Sequence, residues 1–499
     1  MMPLSVTMTT DLHQALTKHL IRMDAQEDLC FALWHPSHGL RRRTGLLQDV
    51  ILPVHGDRNV HGNVSFLPAY VERAISLALP RHAGIAFIHS HPSPGWQAMS
   101  QDDIRAEQSL APTIQAATQL PLLGLTVGCD GAWSARFWNR IGHRRYDLNW
   151  CESVRIAGEW FNATYDNKQI PQPPFREELT RTVSAWGDEI QALIGRVRIG
   201  VVGAGSVGSI VAESLARMGV GQLILIDHDA VERVNLDRLL HAKSRDIGCA
   251  KVRVLAKALG ASATAASFQA LPIEYSIVES EGFRAALDCD ILFSCVDRPW
   301  PRSVLNFIAY AHLIPVVDGG ILIHSSRKRQ GLIGADWKAH IATPPRRCLE
   351  CLGQYDPGVV STERDGYFDD PSYISNISSD HPIYRNENVF CFSLAAASLE
   401  ILQLVSMIVR PSGISNTGAM AQHFVTGTIE QSYDKCNSGC FFQSIVALGD
   451  HAPVQVTGDH RVARDARSAR QSKARRAWCK FQQMLRSHYV ILPKNWARC

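Results

Sequence analysis

The strand RVRIGVVGAG (196–205) runs directly into a turn carrying Gly203, Gly205 and Gly208, and then into the helix SIVAESLARMG. Glycines allow a turn too tight for side chains and let a bound group approach the backbone, while the helix N-terminus attracts phosphate. A second strand, QLILID, ends at Asp227, placed to hydrogen-bond ribose hydroxyls. This strand–helix–strand unit predicts a doubly wound parallel sheet. DILFSCVD (290–297) and IPVVDGGI (314–321) read as further buried strands of it. Taken alone, the glycine turn predicts only nucleotide binding, and an NAD-dependent enzyme would be the commonest reading.

The residues that follow change the chemistry. DHDAVERVNLDRLLHA carries Asp229, Asn235 and Arg238, and Lys251 lies 13 residues after Arg238. SCVDRPWPRSVLN then brings Asp297, Arg302 and Asn306. Cationic side chains beside a carboxylate able to hold Mg²⁺ suit group transfer at a triphosphate, where charge builds up as pyrophosphate leaves. The ordered set Asp-x-Asp, Asn-Leu-x-Arg, Gly-x-x-Lys and Cys-x-Asp resembles the ThiF/MoeB/ubiquitin-activating enzyme superfamily over roughly 176–445. The resemblance implies that the C-terminal carboxylate of a ubiquitin-like or sulfur-carrier protein attacks the α-phosphate of ATP, giving an acyl-adenylate. Asp227 would hold the ribose, Asn235, Arg238 and Lys251 the phosphates, and Asp297 the Mg²⁺. In relatives an arginine upstream of the glycine turn reaches across a homodimer; Arg181 is the candidate here.

Cys348-Leu-Glu-Cys351 and Cys436-Asn-Ser-Gly-Cys440 form two hooks about ninety residues apart, enough thiolates for a closed tetrahedral zinc. The same superfamily has a structural zinc there, although the second hook here is one residue longer. Ubiquitin-activating enzymes also use a thioester cysteine in the crossover that follows the first hook. The corresponding stretch, 355–390, has none, and the nearest is Cys391 at the start of a helix. A helix N-terminus lowers a thiol pKa, yet the apolar neighbours suit a core cysteine equally.

Nearer the start, LCFALW, LLQDVILPV, GIAFIHS and PLLGLTVG read as strands, and VERAISLAL and DDIRAEQSLAPTIQAA as helices. They predict a mixed α/β domain over 1–150. The polar stretch NATYDNKQIPQPPFREE predicts a linker over 151–175. Within the domain stands His89-Ser90-His91-Pro92, followed by Ser100, Asp102 and Asp103. Histidines two apart on a strand point the same way, and a carboxylate from the next helix start supplies a third ligand. Three ligands leave one position for water, as a hydrolytic zinc site requires, and zinc brings the pKa of that water to roughly 7. Glu27, just before the strand LCFALW, is the candidate general base.

These residues resemble the JAB/MPN (JAMM) metalloproteases, deubiquitinases and related isopeptidases with a Glu, His-x-His-Pro, Ser-x-x-Asp pattern. The resemblance implies zinc on His89, His91 and Asp103, with Glu27 as base and Ser100 holding the water or oxyanion. The family spacer from Pro to Ser is usually six residues and here is seven. Counting from His91 therefore selects Asp102, whereas counting from Ser100 selects Asp103, which the shared helix turn favours.

At 499 residues the chain exceeds one core. Arg461–Arg498 holds 11 of its 51 Lys and Arg but only one acid, Asp465, so the remainder carries 40 basic and 46 acidic residues, net −6. The overall charge of +4 thus belongs to a basic helical tail, 446–499. That tail could meet nucleic acid, an acidic protein or the chain's own surface, or be a solvated helix; nucleic acid is not the expected partner. No run of about 18 apolar residues suggests a membrane span, no signal peptide is read, and thirteen cysteines, four of them in metal-type spacing, suit a reducing cytoplasm. The expectation is a JAB-like domain, a Rossmann-like ThiF domain and the tail, in a cytoplasmic homodimer. It would both process and adenylylate a ubiquitin-like modifier, with a conjugating-enzyme-like protein as a further partner. Such fusions resemble bacterial modifier systems, some tied to antiphage defence. Sulfur-carrier activation for cofactor biosynthesis, and a silent nucleotide- and metal-binding scaffold, are the alternatives.

Overall fold

The computed structural model describes residues 2–24, 26–61, 63–326, 331–369 and 387–472. A nine-stranded sheet comes first, in the order Phe161–Tyr165, Ser153–Ala157, Leu4–Thr9, Arg43–Ile51, Leu29–His38, Gly84–Ser90, Leu122–Val127, Trp133–Gly142 and Arg145–Trp150. Side chains alternate across a strand, so each face has its own core. Cys30, Ala32, Ala86 and Ile88 pack with Leu12, Leu16 and Leu20 of helix Thr10–Leu20 on one face. Phe31, Leu33, Ile85 and Phe87 pack on the other, under helices Pro68–Ala78 and Gln101–Thr118. His89 continues the Ile85–Phe87 series and therefore faces the second of these helices.

The expected linker is partly sheet. Ser153–Ala157 pairs parallel with Leu4–Thr9, and Phe161–Tyr165 pairs antiparallel with Ser153–Ala157. The first domain thus runs past residue 150 to about 165. Ser153 and Arg155 obscured this strand, because they are polar yet buried.

A second sheet of eight strands runs Gln269–Ile273, Gln222–Ile226, Arg198–Val202, Ile291–Ser294, Val316–Ser326, Gly331–Ala342, Ala419–His423 and Ile429–Ser432. The first five are parallel, as the sequence suggests, and the last three extend the sheet antiparallel. Chain order reverses direction between Arg198–Val202 and Ile291–Ser294, the place where open α/β sheets bind ligands. Helix Phe390–Val409 has 20 residues and an 18-residue stretch of mean hydropathy 1.8, long and apolar enough to cross a membrane, but 61% of that stretch is buried in this protein. Ala397, Leu404 and Met407 enter the main core, and Glu400 and Gln403 are also buried.

The two sheets meet through buried charge. Asp290 Oδ1 accepts from Arg42 at 2.5 Å and Arg155 at 2.8 Å, and Glu152 pairs with Arg198 at 2.8 Å. Ser37 Oγ bonds His312 Nδ1 at 2.8 Å, and His35 Nδ1 lies 3.0 Å from His451 Nδ1. Residues 446–458 are accordingly part of the packed molecule rather than a free tail: His38 pairs with Asp450 at 2.5 Å. A helix begins at 461 and is described to 472; the rest of the basic run, 473–499, lies outside the described residues.

Candidate functional site

At the switch point, Gly203 adopts φ +94°, and a Cβ there would stand 2.4 Å from the Cys295 carbonyl oxygen. A Cβ on Gly208 would stand 1.8 Å from the Gly203 carbonyl oxygen. The turn therefore needs glycine at both places. Asp227 closes it from the next strand: its Oδ2 accepts from the Ala204 amide at 2.7 Å and its Oδ1 from the Asp229 amide at 2.7 Å. Lys251 Nζ sits 2.8 Å from Asp229 Oδ2 at the start of helix Lys251–Ser262.

Burial, and then the neighbouring Asp229, push the Asp227 carboxyl above its ordinary value. Burial also opposes ionisation of Asp229, but Lys251 and His228 outweigh it and hold that carboxyl low. Lys251 is raised despite burial by Asp227 and Asp229, with a smaller contribution from Asp297. Asp297 is exposed on the loop after Ile291–Ser294. Glycine turn, acids and lysine thus meet at one end of the sheet.

Asn235 and Arg238 lie on the same side but have local duties. Asn235 Oδ1 accepts from the Glu232 amide at 3.0 Å, and Arg238 donates to the Val234 carbonyl at 2.7 Å and to Asp237 at 2.8 Å. Arg181 is exposed on helix Thr180–Trp186 and joins none of these contacts.

Sequence reasoning missed Arg302, beyond noting its presence. Its guanidinium donates to Asp318 at 2.9 Å and to the Val296 and Gly319 carbonyls at 3.0 and 3.1 Å. Asp318 also lines a cavity of about 220 Å³ with Lys338, His340, Gln354, Met420 and Glu430. The antiparallel strands, which left no motif, build that cavity.

In the first domain, His89 Nε2 and His91 Nε2 are 3.2 Å apart, and each is 3.3 Å from an Asp103 carboxylate oxygen. The three ligand atoms lie within 4.8 Å of one another, so the donor set fits a metal ion. Ser100 caps helix Gln101–Thr118 by accepting from the Asp103 amide, and Asp103 Oδ2 accepts from the Ser100 amide at 2.7 Å. Asp102 instead pairs with Arg105 at the surface, 72% exposed. Burial works against the Asp103 carboxylate, but the two histidines more than reverse this and hold its pKa far below the usual range. Glu27 is half-buried and close enough to add to the rise in the His91 pKa, whose main cause is the hydrogen bond to Asp103.

Behind the histidines is an unforeseen network. Arg136 and Glu107, both fully buried, form an ion pair; Arg136 donates to Thr126 Oγ1 at 2.6 Å, and that oxygen lies 3.3 Å from His89 Nε2.

Cys348, Cys351, Cys436 and Cys440 also bring their sulfurs within 4.8 Å of one another. Backbone N–H groups of Cys348 and Cys351 point at Cys436 Sγ (3.1 Å) and Cys348 Sγ (3.3 Å), a setting that suits thiolates holding a structural metal. Cys391 is exposed in the first turn of Phe390–Val409. The crossover preceding it falls partly outside the described residues.

Residues 178–421 match the ThiF family. The SAMP-activating enzyme E1 of Haloferax volcanii is 31% identical over 176 residues, 35% of this chain and 60% of that protein. The tRNA threonylcarbamoyladenosine dehydratase of Escherichia coli K12 is 30% identical over 151 residues, 29% of this chain and 54% of that protein. The chain thus spans little more than half the length of these relatives. Among solved structures, E. coli MccB with ATP aligns over 54% of this chain and 75% of that one, at 17% identity and a TM-score of 0.40. The family match, residues 178–421, does not include the first domain.

Proposed function

We propose that this chain, whose residues 178–421 form a ThiF family domain, is an ATP-dependent adenylyltransferase acting on the C-terminus of a ubiquitin-like modifier. The observation that carries the reading is the convergence of the glycine turn, Asp227, Asp229, Lys251 and Asp297 on the switch point of the parallel sheet. In this reading Asp227 takes the ribose hydroxyls, and the turn amides and helix N-terminus take phosphate. Lys251 and Arg238 offset charge as a carboxylate oxygen attacks the α-phosphorus and the bond to pyrophosphate breaks. Asp297 would hold Mg²⁺, which supplies further charge neutralisation when bound. The cavity beside Asp318 would receive the modifier's C-terminal tail.

His89, His91 and Asp103 would hold zinc, supplying a hydrolytic centre for trimming or releasing the modifier; Glu27 would move the proton and Ser100 orient the water. The four cysteines would hold a structural zinc. A homodimer with Arg181 reaching the partner's site, a conjugating-enzyme-like acceptor and a cytoplasmic setting complete the proposal.

Pyrophosphate exchange tests the reading. Purified protein, ATP, Mg²⁺ and a candidate modifier should exchange label into ATP, and Asp297→Ala should lower the rate at least about a hundredfold. Exchange that survives Asp297→Ala undiminished would reject the assignment of that residue, and no exchange with any modifier ending in Gly-Gly would reject the activity.

A further inference from the structure

The chain returns to the nucleotide corner at its far end. Trp300, 4% exposed, donates from Nε1 to the Val456 carbonyl at 3.0 Å, and the Gly458 amide donates to the Val278 carbonyl at 2.9 Å. A Cβ on Gly458 would press on the Trp300 ring at 3.1 Å, so the chain lies close against it. The helix over 461–472 follows, with Ala463 fully buried. Arg467 grips Glu279 at 2.8 and 3.1 Å, donates to the Glu274 carbonyl and stacks over the Tyr275 ring at 3.9 Å. Arg470 donates to Glu274 Oε2 at 3.3 Å and to the His228 carbonyl at 2.7 Å.

That last contact reaches the site. The peptide joining His228 to Asp229 offers its oxygen to Arg470 and its N–H, at 2.7 Å, to Asp227 Oδ1. Asp227 Oδ2 in turn accepts from Ala204 in the glycine turn. One hydrogen-bonded line therefore runs from Arg470 through a single peptide plane and Asp227 to the turn. Each bond in such a line polarises the next, and a cation on the carbonyl strengthens the first.

We infer that Arg470 is a positioning residue of the nucleotide site that fixes the Asp227 carboxylate for nucleotide binding, with Arg467 the anchor of its helix. The inference rests on the adenylation reading. Without Arg470 the 228–229 peptide loses the donor on its carbonyl, and one of the two amides that aim Asp227 is held less firmly.

Titration of the full-length protein with ATP and Mg²⁺ by calorimetry, alongside thermal melting, tests this. Arg470→Ala should weaken ATP binding about tenfold, Arg470→Lys should recover part of the loss, and Arg467→Ala should weaken it less. Arg464→Ala, which removes a side chain that pairs with exposed Asp459 just before the helix, should bind as wild type does. A lowered melting temperature with unchanged ATP affinity in Arg470→Ala is what a purely structural contact gives, and would overturn the inference alone. Absence of ATP binding by the wild-type protein would overturn the adenylation reading and this inference with it.

Discussion

Ser100 accepts a hydrogen bond from the amide of Asp103 and so fixes where helix Gln101–Thr118 begins. The third residue of the first turn is thereby set beside the histidines, and the second is turned to solvent, where Asp102 meets Arg105. Zinc content should follow this geometry. Asp103→Ala should lose one zinc per chain relative to wild type, and Asp102→Ala none, by elemental analysis with the cysteine site as the common background. Equal zinc in wild type and Asp103→Ala would refute the metal assignment. Counting residues from His91 or from Ser100 names different aspartates, and the helix cap decides between them because it is a three-dimensional contact. The glycine turn and Asp227 were readable as neighbours, since their spacing along strand, turn and strand brings them together. Asn235 and Arg238 were readable as positions but not as partners: Glu232, Val234 and Asp237 occupy them through bonds that leave no periodic trace.

At the scale of elements, helix Gln101–Thr118 is held down by Glu107, one turn after Asp103. Glu107 accepts from Arg136 and, at 2.7 Å, from Trp138 Nε1. Both charged residues are fully buried, and removing one strands the other in low dielectric. Glu107→Ala should destabilise the protein by roughly 3–5 kcal/mol, measured by urea unfolding, and should weaken zinc retention because Asp103 rides on the same helix. Glu107→Gln, which keeps the acceptor for Trp138, should cost less; equal midpoints for wild type and Glu107→Ala would refute the role. Apolar runs gave away the strands that carry both sites. The charged pair escaped notice because an Arg on a strand ordinarily marks the solvent face. Ala419–His423 and Ile429–Ser432 escaped for the opposite reason: they are half-exposed and edge-like, with no apolar run to mark them.

Across the whole molecule, the junction between the sheets is where domain boundaries drawn from composition fail. Arg155 is buried because Asp290, from the other sheet, receives it, so the segment around it reads as polar and folds as a strand. His312 belongs to the same junction, and burial lowers its pKa to about 4 from an ordinary 6.5. Between those values the unfolded chain takes up a proton that the folded one refuses. Stability should therefore fall as pH drops from about 6.5 toward 4, by on the order of 3 kcal/mol from this group. His312→Gln should flatten the fall between pH 7 and pH 5 in urea midpoints; an identical slope would refute the attribution.

Asp290 carries the largest consequence. Arg42 and Arg155 both bond its Oδ1, and its Oδ2 accepts from the Arg198 amide at 2.8 Å. The three cations work against burial and hold its carboxyl at about 2, while burial and the nearby Arg42 push Arg155 down to about 10. Asp290→Ala leaves two buried guanidiniums with Glu152 as the remaining carboxylate, 3.9 Å from Arg42. The cost should be roughly 3–5 kcal/mol, and it should appear at the junction first. Wild-type protein should unfold in urea with both domains coupled, whereas Asp290→Ala should show an earlier transition that separates them, seen as tryptophan fluorescence and hydrogen exchange no longer coinciding. Asp290→Asn keeps the acceptor and removes the charge, and should fall between the two. Coincident transitions at the wild-type midpoint in Asp290→Ala would mean that the sheets are joined by apolar packing, with the buried charges incidental to it.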